Sequence, residues 1–311
     1  MNNSTLQRYQ VVRSMAQDPC WNIAMEDYWL DQAHQHDPVL LLWQSGPAVI
    51  IGKNQNPWRE CCPRRLAAAG IQLARRISGG GAVYHDPGNL NYAFFMPRTM
   101  YDGESVFALV ARVLARAGIH SQRINRTGLA VQGRKVSGNA FCFRRNAALH
   151  HGTLLVQADL SALTAALQPP PWRLESRATR SIPAPVANLG DVCPGLTLDH
   201  LVSLFLQTCS CTETIMAVED LVSRAEVDIR SRKFRSREWI YDQSPPFTMD
   251  VSSAGEGKEA DVRLTVEHGR IVSARALVSA HASSGARACA RWIGHPLLSL
   301  PFLAVDTPGN P

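Results

Sequence analysis

Arg75-Arg76-Ile77-Ser78-Gly79-Gly80-Gly81-Ala82-Val83-Tyr84-His85-Asp86-Pro87-Gly88-Asn89 is the stretch whose residue types and spacing could most plainly do chemistry. Three successive glycines can take positive φ and bring a ligand against bare amide N–H groups, which is how backbone holds phosphate or carboxylate oxygens. Arg76 precedes them, and its guanidinium fork matches the same oxygens, so the turn and the arginine together describe an anion site. The glycines are contiguous instead of spread as G-x-G-x-x-G, and no Gly-Lys-Ser/Thr closes the loop. Both facts argue against a dinucleotide fold and a P-loop. A glycine triplet alone reads as a hairpin turn; the arginines before it and the His-Asp-x-Gly-Asn after it favour a site.

Lys135, in Gly133-Arg134-Lys135-Val136-Ser137-Gly138-Asn139-Ala140, opens a strand and is followed by small residues. It can point into a cleft and offer a fixed positive charge to developing negative oxygens. An isolated lysine there would be a solvated edge residue. Beside an anion-binding turn it supplies the minimum apparatus for joining a carboxylic acid to a nucleotide α-phosphate. His85, His150 and His151 are further candidates, but metal-ligand spacing is absent. No G-x-S-x-G elbow or Ser/His/Asp order points to a serine hydrolase. The eight cysteines form no C-x-x-C pair and read as reduced packing residues.

The elements that must position these groups follow from pattern and punctuation. Asp18 reads as the cap of a helix running to about 34. Residues 39–43 and 48–51 read as two buried strands joined by Gln44-Ser45-Gly46-Pro47, a hairpin by length. A short helix over 60–69 stopped by Gly70 and a strand over 71–74 deliver the two arginines to the glycine turn. Past the turn come a strand over 90–95 and an amphipathic helix over 105–117 ended by Gly118. A hairpin follows through Gln132-Gly133, pairing 129–131 with 135–141, and then a strand over 153–156 entered by His150-His151-Gly152. Residues 167–194, rich in proline and arginine, should be an extended crossing segment. Thr197 caps a helix over 198–208, and another helix is expected over 217–225. Arg230-Ser231-Arg232-Lys233-Phe234-Arg235-Ser236-Arg237 reads as a solvated face or loop.

Two prolines in Tyr241-Asp242-Gln243-Ser244-Pro245-Pro246-Phe247 mark a boundary. It divides a catalytic domain, 1–244, from a small C-terminal α/β accessory domain, 245–311. In the latter, strands over 262–266 and 271–277 flank a turn, and a helix is expected near 286–293. Hairpin connections around the glycine turn predict an α/β fold of the α+β type, with a mixed, largely antiparallel sheet flanked by helices. At 311 residues, 45% hydrophobic and 19% charged, the chain has the composition of a globular protein with ample core. The longest apolar runs are strand-length, so no membrane span is expected. The N-terminal residues lack the pattern of a secretory signal, which makes a cytoplasmic location the expectation. A net charge of +6 favours an acidic partner, yet no basic track with interleaved aromatics suggests nucleic acid.

Arg-Arg-x-Ser-Gly-Gly-Gly-Ala-Val-Tyr-His-Asp-x-Gly-Asn from Arg75, Lys-Val-Ser-Gly-x-Ala from Lys135 and His-His-Gly-Thr-Leu-Leu from His150 resemble the lipoate–protein ligase A family. Ile51-Gly52-Lys53-Asn54-Gln55-Asn56-Pro57-Trp58 and Asn22-Ile23-Ala24-Met25-Glu26 extend the match in family order. The resemblance implies the catalytic fold of biotin ligases and class II synthetases. It implies that (R)-lipoate and ATP, with Mg2+, give lipoyl-AMP and pyrophosphate, after which an acceptor lysine takes the lipoyl group. Lys135 would be catalytic. Arg76, Ser78, Gly79, Gly80, Gly81, Ala82, Val83, Tyr84 and Lys135 would bind ATP or lipoyl-AMP. His85, Asn89, Ser137, His151 and Thr153 would line the lipoate pocket, and no metal ligands are identified. The implied acceptors are lipoyl domains of 2-oxoacid dehydrogenase complexes and the glycine-cleavage H protein, served by a monomer.

One departure stands out. The family usually carries Asn-Asp-Leu a few residues before the lysine, where this chain reads Arg126-Thr127-Gly128-Leu129. Loss of that carboxylate bears on magnesium binding and on placement of the acceptor lysine. The nearest alternatives are therefore a lipoyltransferase that accepts preformed lipoyl-AMP and a non-catalytic binder of lipoate or lipoyl domains.

Overall fold

The computed structural model describes residues 8–170, 172–209, 215–252, 262–277 and 291–300. Its strands, in chain order, are β1 (Gln10–Arg13), β2 (Val39–Trp43), β3 (Ala48–Ile51), β4 (Gln72–Arg75), β5 (Val83–His85) and β6 (Asn89–Pro97). They continue with β7 (Gln122–Ile124), β8 (Gly128–Val131), β9 (Arg134–Phe143), β10 (Ala147–Leu155) and β11 (Arg173–Ser176). The last are β12 (Met216–Ala217), β13 (Phe247–Val251), β14 (Val262–Glu267) and β15 (Arg270–Ala276). The main sheet has eight strands in the order β12-β1-β2-β6-β10-β9-β8-β7. Only β12 with β1 and β1 with β2 run parallel in it, so the expected mixed, largely antiparallel sheet is what forms. A three-stranded sheet β4-β3-β5 packs against it, and a four-stranded sheet β11-β13-β14-β15 stands beside both.

Local chemistry sets most of these elements. Asp18 accepts from the backbone N–H groups of Cys20 and Trp21 and caps the helix Pro19–Gln32. Asp102 caps Gly103–Arg116 in the same way, and Gly118 follows it with φ of 76°. Gln132 and Gly133 both take positive φ, 51° and 78°, the turn that matches the twist of a two-residue hairpin joining β8 to β9.

Several expectations change. β2 and β3 do not form a hairpin: β2 pairs with β1 and β6, whereas β3 pairs with β4 and β5 in the other sheet. The helix expected over 60–69 is two pieces, Pro57–Glu60 and Pro63–Ala68, because Pro63 can begin a helix but not sit inside one. The helix expected over 217–225 lies instead at Arg224–Arg235, capped by Ser223, and absorbs most of the arginine-rich run. The helix expected near 286–293 falls mainly outside the described residues.

Strand alternation gives the main sheet two apolar faces. Leu40, Leu42, Leu90, Tyr92, Phe94 and Met96 turn to one, where Val106, Val110 and Phe205 from Gly103–Arg116 and Leu198–Cys209 meet them. Val39, Leu41, Trp43, Ala93, Phe95 and Leu149 turn to the other, packing on Ile23, Met25 and Leu30 of Pro19–Gln32 and on Ile50 and Ala74 of the small sheet. Asp27 ties Pro19–Gln32 to Arg144 and Arg230 from opposite sides. The third core, around Met249, Leu264 and Ile271, is anchored to the rest by Trp58, whose ring lies 5.4 Å from those of Phe247 and Tyr241.

At the end of β4, Arg75 is wholly buried. Its guanidinium donates to the carbonyls of Gly52, Lys53, Gln55, Trp239 and Ile240 and to Ser244 Oγ, at 2.5–3.2 Å. Trp239 Nε1 donates back to the Arg75 carbonyl at 2.7 Å. Burial lowers the arginine's pKa to about 10, which leaves it charged at neutral pH. One cation thus joins the loop after β3, the strand before the glycine turn and the π-helical turn Glu238–Asp242. Arg75→Met strands this set of buried carbonyls. It should lower the unfolding free energy by at least about 3 kcal/mol, seen as a drop in the urea midpoint; an unchanged midpoint would contradict the clamp.

Candidate active site

A cavity of about 510 Å³ lies between the main sheet and the small one. Trp43, Asn91, His151 and Thr153 face it from the main sheet, Ile50, Val83 and His85 from the small sheet, and Ile23 and Glu26 from Pro19–Gln32. Gly80, Gly81 and Ala82 form its rim. Gly80 has φ of 92°, where glycine is favoured, and its carbonyl lies so close over Gly52 that a β-carbon there would collide with it.

Arg76 holds this turn from inside. It donates to Ser78 Oγ at 3.0 Å and to the carbonyls of Ile50, Gly79 and Gly81 at 3.1, 2.6 and 2.7 Å. Four of the five N–H groups of a guanidinium are therefore committed to protein. The expected phosphate-binding arginine is first a strut of the turn, with one N–H left for a ligand. Burial lowers its pKa to about 10, against the opposing pull of Glu26.

A continuous hydrogen-bonded chain leads from that arginine to the floor. Ser78 Oγ lies 2.6 Å from His151 Nε2, His151 Nδ1 lies 2.8 Å from Glu26 Oε2, and Trp43 Nε1 donates to Glu26 Oε1 at 3.2 Å. Because Ser78 accepts from Arg76, its own proton can go to His151 Nε2, and His151 then donates from Nδ1 to the carboxylate. Ser78 is buried and lines neither cavity, so the trio braces the turn instead of presenting a nucleophile.

Lys135 is different in kind. It is half-buried and carries no ion pair among the described residues. Burial, and then the nearby Arg76 charge, lower its pKa below the ordinary lysine range. Its backbone is fixed by Lys135 N–H to the Pro185 carbonyl at 2.8 Å and Ala187 N–H to the Lys135 carbonyl at 3.1 Å. A β-carbon at Gly138 would come within 3.3 Å of Lys135 Nζ, so the small residue leaves room for the amine. The lysine lines the first cavity and also a second, of about 430 Å³, walled by Tyr84, Leu155, Leu163 and Leu167.

The structure therefore brings together Arg76, Gly80, Gly81, Ala82, Val83, His85, Lys135, His151 and Thr153 around the first cavity, and Tyr84 and Ser137 on the second. Gly79 and Ser78 support the turn from behind. Asn89 faces neither cavity; it donates at 3.0 Å to Asn91, which does line the first. His150 points to the opposite face of the sheet, against Phe107 and Phe141, as strand alternation requires. Ser181 is an addition: its hydroxyl accepts from Ala82 N–H at 2.8 Å and from Gln55 at 3.1 Å, pinning the crossing segment over the mouth. Nothing in that proline-rich run marked it. The carboxylates on the two cavities are Glu26, committed to His151 and Trp43, and Glu60, which accepts the Ser181 N–H. Among the described residues no group of three metal-ligating side chains occurs.

Residues 18–210 match the family model for the lipoyl protein ligase A/B catalytic domain. The chain is 35% identical over 275 residues to the mitochondrial lipoyl amidotransferase LIPT1 of Mus musculus, covering 84% of this chain and 74% of that protein. The Homo sapiens protein of the same name is 34% identical over 258 residues, covering 80% and 69%. Among solved structures, P. falciparum LipL1 in complex with lipoate superposes with a TM-score of 0.65 at 23% identity, over 85% of this chain and 83% of that one, a likeness of fold.

The glycines around the turn differ in how much they can change. Gly52→Ala forces Gly80 and the Arg76 guanidinium apart and should lower stability by about 1–3 kcal/mol, with faster hydrogen exchange at residues 79–82. Gly79, with open space around its β-position, should accept alanine within about 0.5 kcal/mol. Equal effects of the two substitutions would sink this account.

Proposed function

The chain belongs to the lipoyl protein ligase A/B catalytic-domain family, and from that premise we propose that it transfers a lipoyl group from lipoyl-AMP to the side-chain amine of an acceptor lysine. The observation that carries the reading is Lys135, a cation without an ion pair among the described residues at the junction of two chambers. The apolar chamber floored by Ile23, Trp43 and Ile50 suits the acyl chain, and the one walled by Tyr84 and Leu155 suits the nucleoside. The acyl carbon and the phosphorus then both lie beside Lys135.

The neutral acceptor amine adds to the acyl carbon and forms the C–N bond, and negative charge gathers on the former carbonyl oxygen. The C–O bond to phosphate breaks as the carbonyl reforms, AMP leaves with the electron pair, and the nitrogen sheds a proton to give the amide. Lys135 faces both the oxyanion and the departing phosphate, whose charges it stabilises. The amides of the glycine rim supply further donors. The strands from β13 onward, with Trp58 as their anchor, form an accessory unit beside this site; the basic chain suits an acidic lipoyl-accepting protein by steering that salt would screen.

ATP-dependent activation of lipoate in the same site is the second reading. Arg126 and Arg180, on the wall of the first cavity and without ion pairs among the described residues, favour a polyphosphate there. Magnesium is usually held by one or two carboxylates together with phosphates. The committed Glu26 and Glu60 do not suit that role, which is why transfer stands first.

The deciding experiment supplies an acceptor domain with either synthetic lipoyl-AMP or lipoate, ATP and magnesium, and reads mass gain and pyrophosphate. Gain from lipoyl-AMP alone supports the transferase, gain from both supports the ligase, and gain from neither removes both. Lys135→Met should lower transfer at least about a hundredfold without loss of fold. Rising pH frees the attacking amine but discharges Lys135, so the alkaline limb should lie below the ordinary lysine pKa of 10.5. Lys135→Arg should carry that limb upward; a limb unmoved by this change would remove Lys135 from it.

A further inference from the structure

Two buried residues on the wall of the acyl chamber carry nitrogens that have no hydrogen-bond partner among the described residues. His85 is 3% exposed and neither of its ring nitrogens meets a hydrogen-bonding group among the described residues. Its ring stands edge-on to Trp43, with centroids 5.5 Å apart. Burial first, then the charges of Arg76 and His151, lower its pKa to about 3, so the imidazole is neutral and carries one N–H. Asn91, also 3% exposed, lies directly across the sheet from Trp43. Its Oδ1 accepts from Asn89 at 3.0 Å, while its Nδ2 has no acceptor among the described residues. Both residues line the first cavity.

These groups contrast with their neighbours. Glu26, His151 and Trp43 are spent on one another, and Ile23 and Ile50 offer only hydrocarbon. Buried donors are retained without protein partners where something else occupies them. An apolar chamber with two unspent donors suits a ligand that is mostly hydrocarbon but carries weak acceptor atoms.

Resting on the lipoyl-transfer reading, we infer that His85 and Asn91 read the sulfurs of the dithiolane ring and so select a lipoyl chain over an octanoyl chain of the same carbon count. Disulfide sulfur is a soft, weak acceptor that an imidazole N–H and a carboxamide N–H can approach. A plain alkyl end fills similar volume yet leaves both donors desolvated and unpaired. Selection therefore comes chiefly from the penalty on the wrong chain.

The test uses the full chain and the hydrolysis-resistant acyl-sulfamoyl adenosines of lipoate and octanoate, titrated by calorimetry without acceptor. The wild type should bind the lipoyl compound about tenfold more tightly. His85→Phe, which keeps a ring against Trp43, and Asn91→Leu should each collapse most of that ratio, and His85→Gln should restore part of it. Equal binding of the two compounds by the wild type, or an equal loss for both in the variants, would overturn the inference while leaving lipoyl transfer in place. No binding of either compound would overturn the transfer reading and this inference with it. A wild-type ratio near one overturns the inference even if a variant fails to fold.

Discussion

Two adjacent guanidiniums buried at the end of one strand hold the small sheet, and the site depends on them. Arg75 ends β4 and Arg76 follows it, and their guanidiniums bond to different segments. Each is compensated mainly by backbone carbonyls instead of carboxylates. A buried cation without that company would cost several kcal/mol, roughly the margin of a whole domain. The carbonyls belong to segments far apart in sequence: the loop after β3, the glycine turn and the π-helical turn before β13. Fixing the charges therefore fixes the junction of these segments, and the glycine turn inherits its shape.

Lys135, like Arg126 and Arg180, lines the first cavity without an ion pair among the described residues. Arg76 is positioned by the turn it organises, and its fixed charge reaches the cavity more than its donors do. Lys135 is half-buried and has no ion pair among the described residues; burial first, and then that Arg76 charge, lower its pKa. The chain of Ser78, His151 and Glu26 carries the same logic to the opposite wall, since a cavity-lining carboxylate committed to His151 and Trp43 balances the guanidinium. Strand alternation explains how the paired histidines divide: His151 joins the site and His150 joins the aromatic core on the far face.

What was legible in the sequence is what depends on neighbours in sequence. Asp18, Gly118 and Gln132-Gly133 announce caps and turns, and the glycine triplet with Lys135 announces the centre of the site. Pairing choices are non-local, and there the reading failed. β2 and β3 are both apolar and separated by four residues, yet each finds better partners elsewhere. The helix Arg224–Arg235 hides its buried stripe of Val227, Ser231 and Phe234 among arginines. Trp43 and Asn91 look like ordinary strand residues, and only convergence of two sheets and a helix makes them a pocket wall. Nor could sequence show that Arg76 spends its donors inward, because the accepting carbonyls carry no residue-type signal.

The backbone before Lys135 leaves little room for the acid that the family resemblance leads one to expect there. Gly128 lies opposite Gly138 on the hairpin and close under Ile124, whose Cγ1 would sit 2.9 Å from any β-carbon placed there. A side chain at 128 would thus have to displace the strand's own partner, and Thr127 takes the cavity wall instead. A carboxylate near Lys135 would pair with the ammonium and raise its pKa; without one, the charged groups lowering and raising it reduce to the repulsion of Arg76. The lysine is left as a desolvated cation awaiting an anion. A negatively charged oxygen placed beside it would offset the repulsion. Burial first, and then the Arg76 charge, hold the Lys135 pKa below the ordinary lysine range.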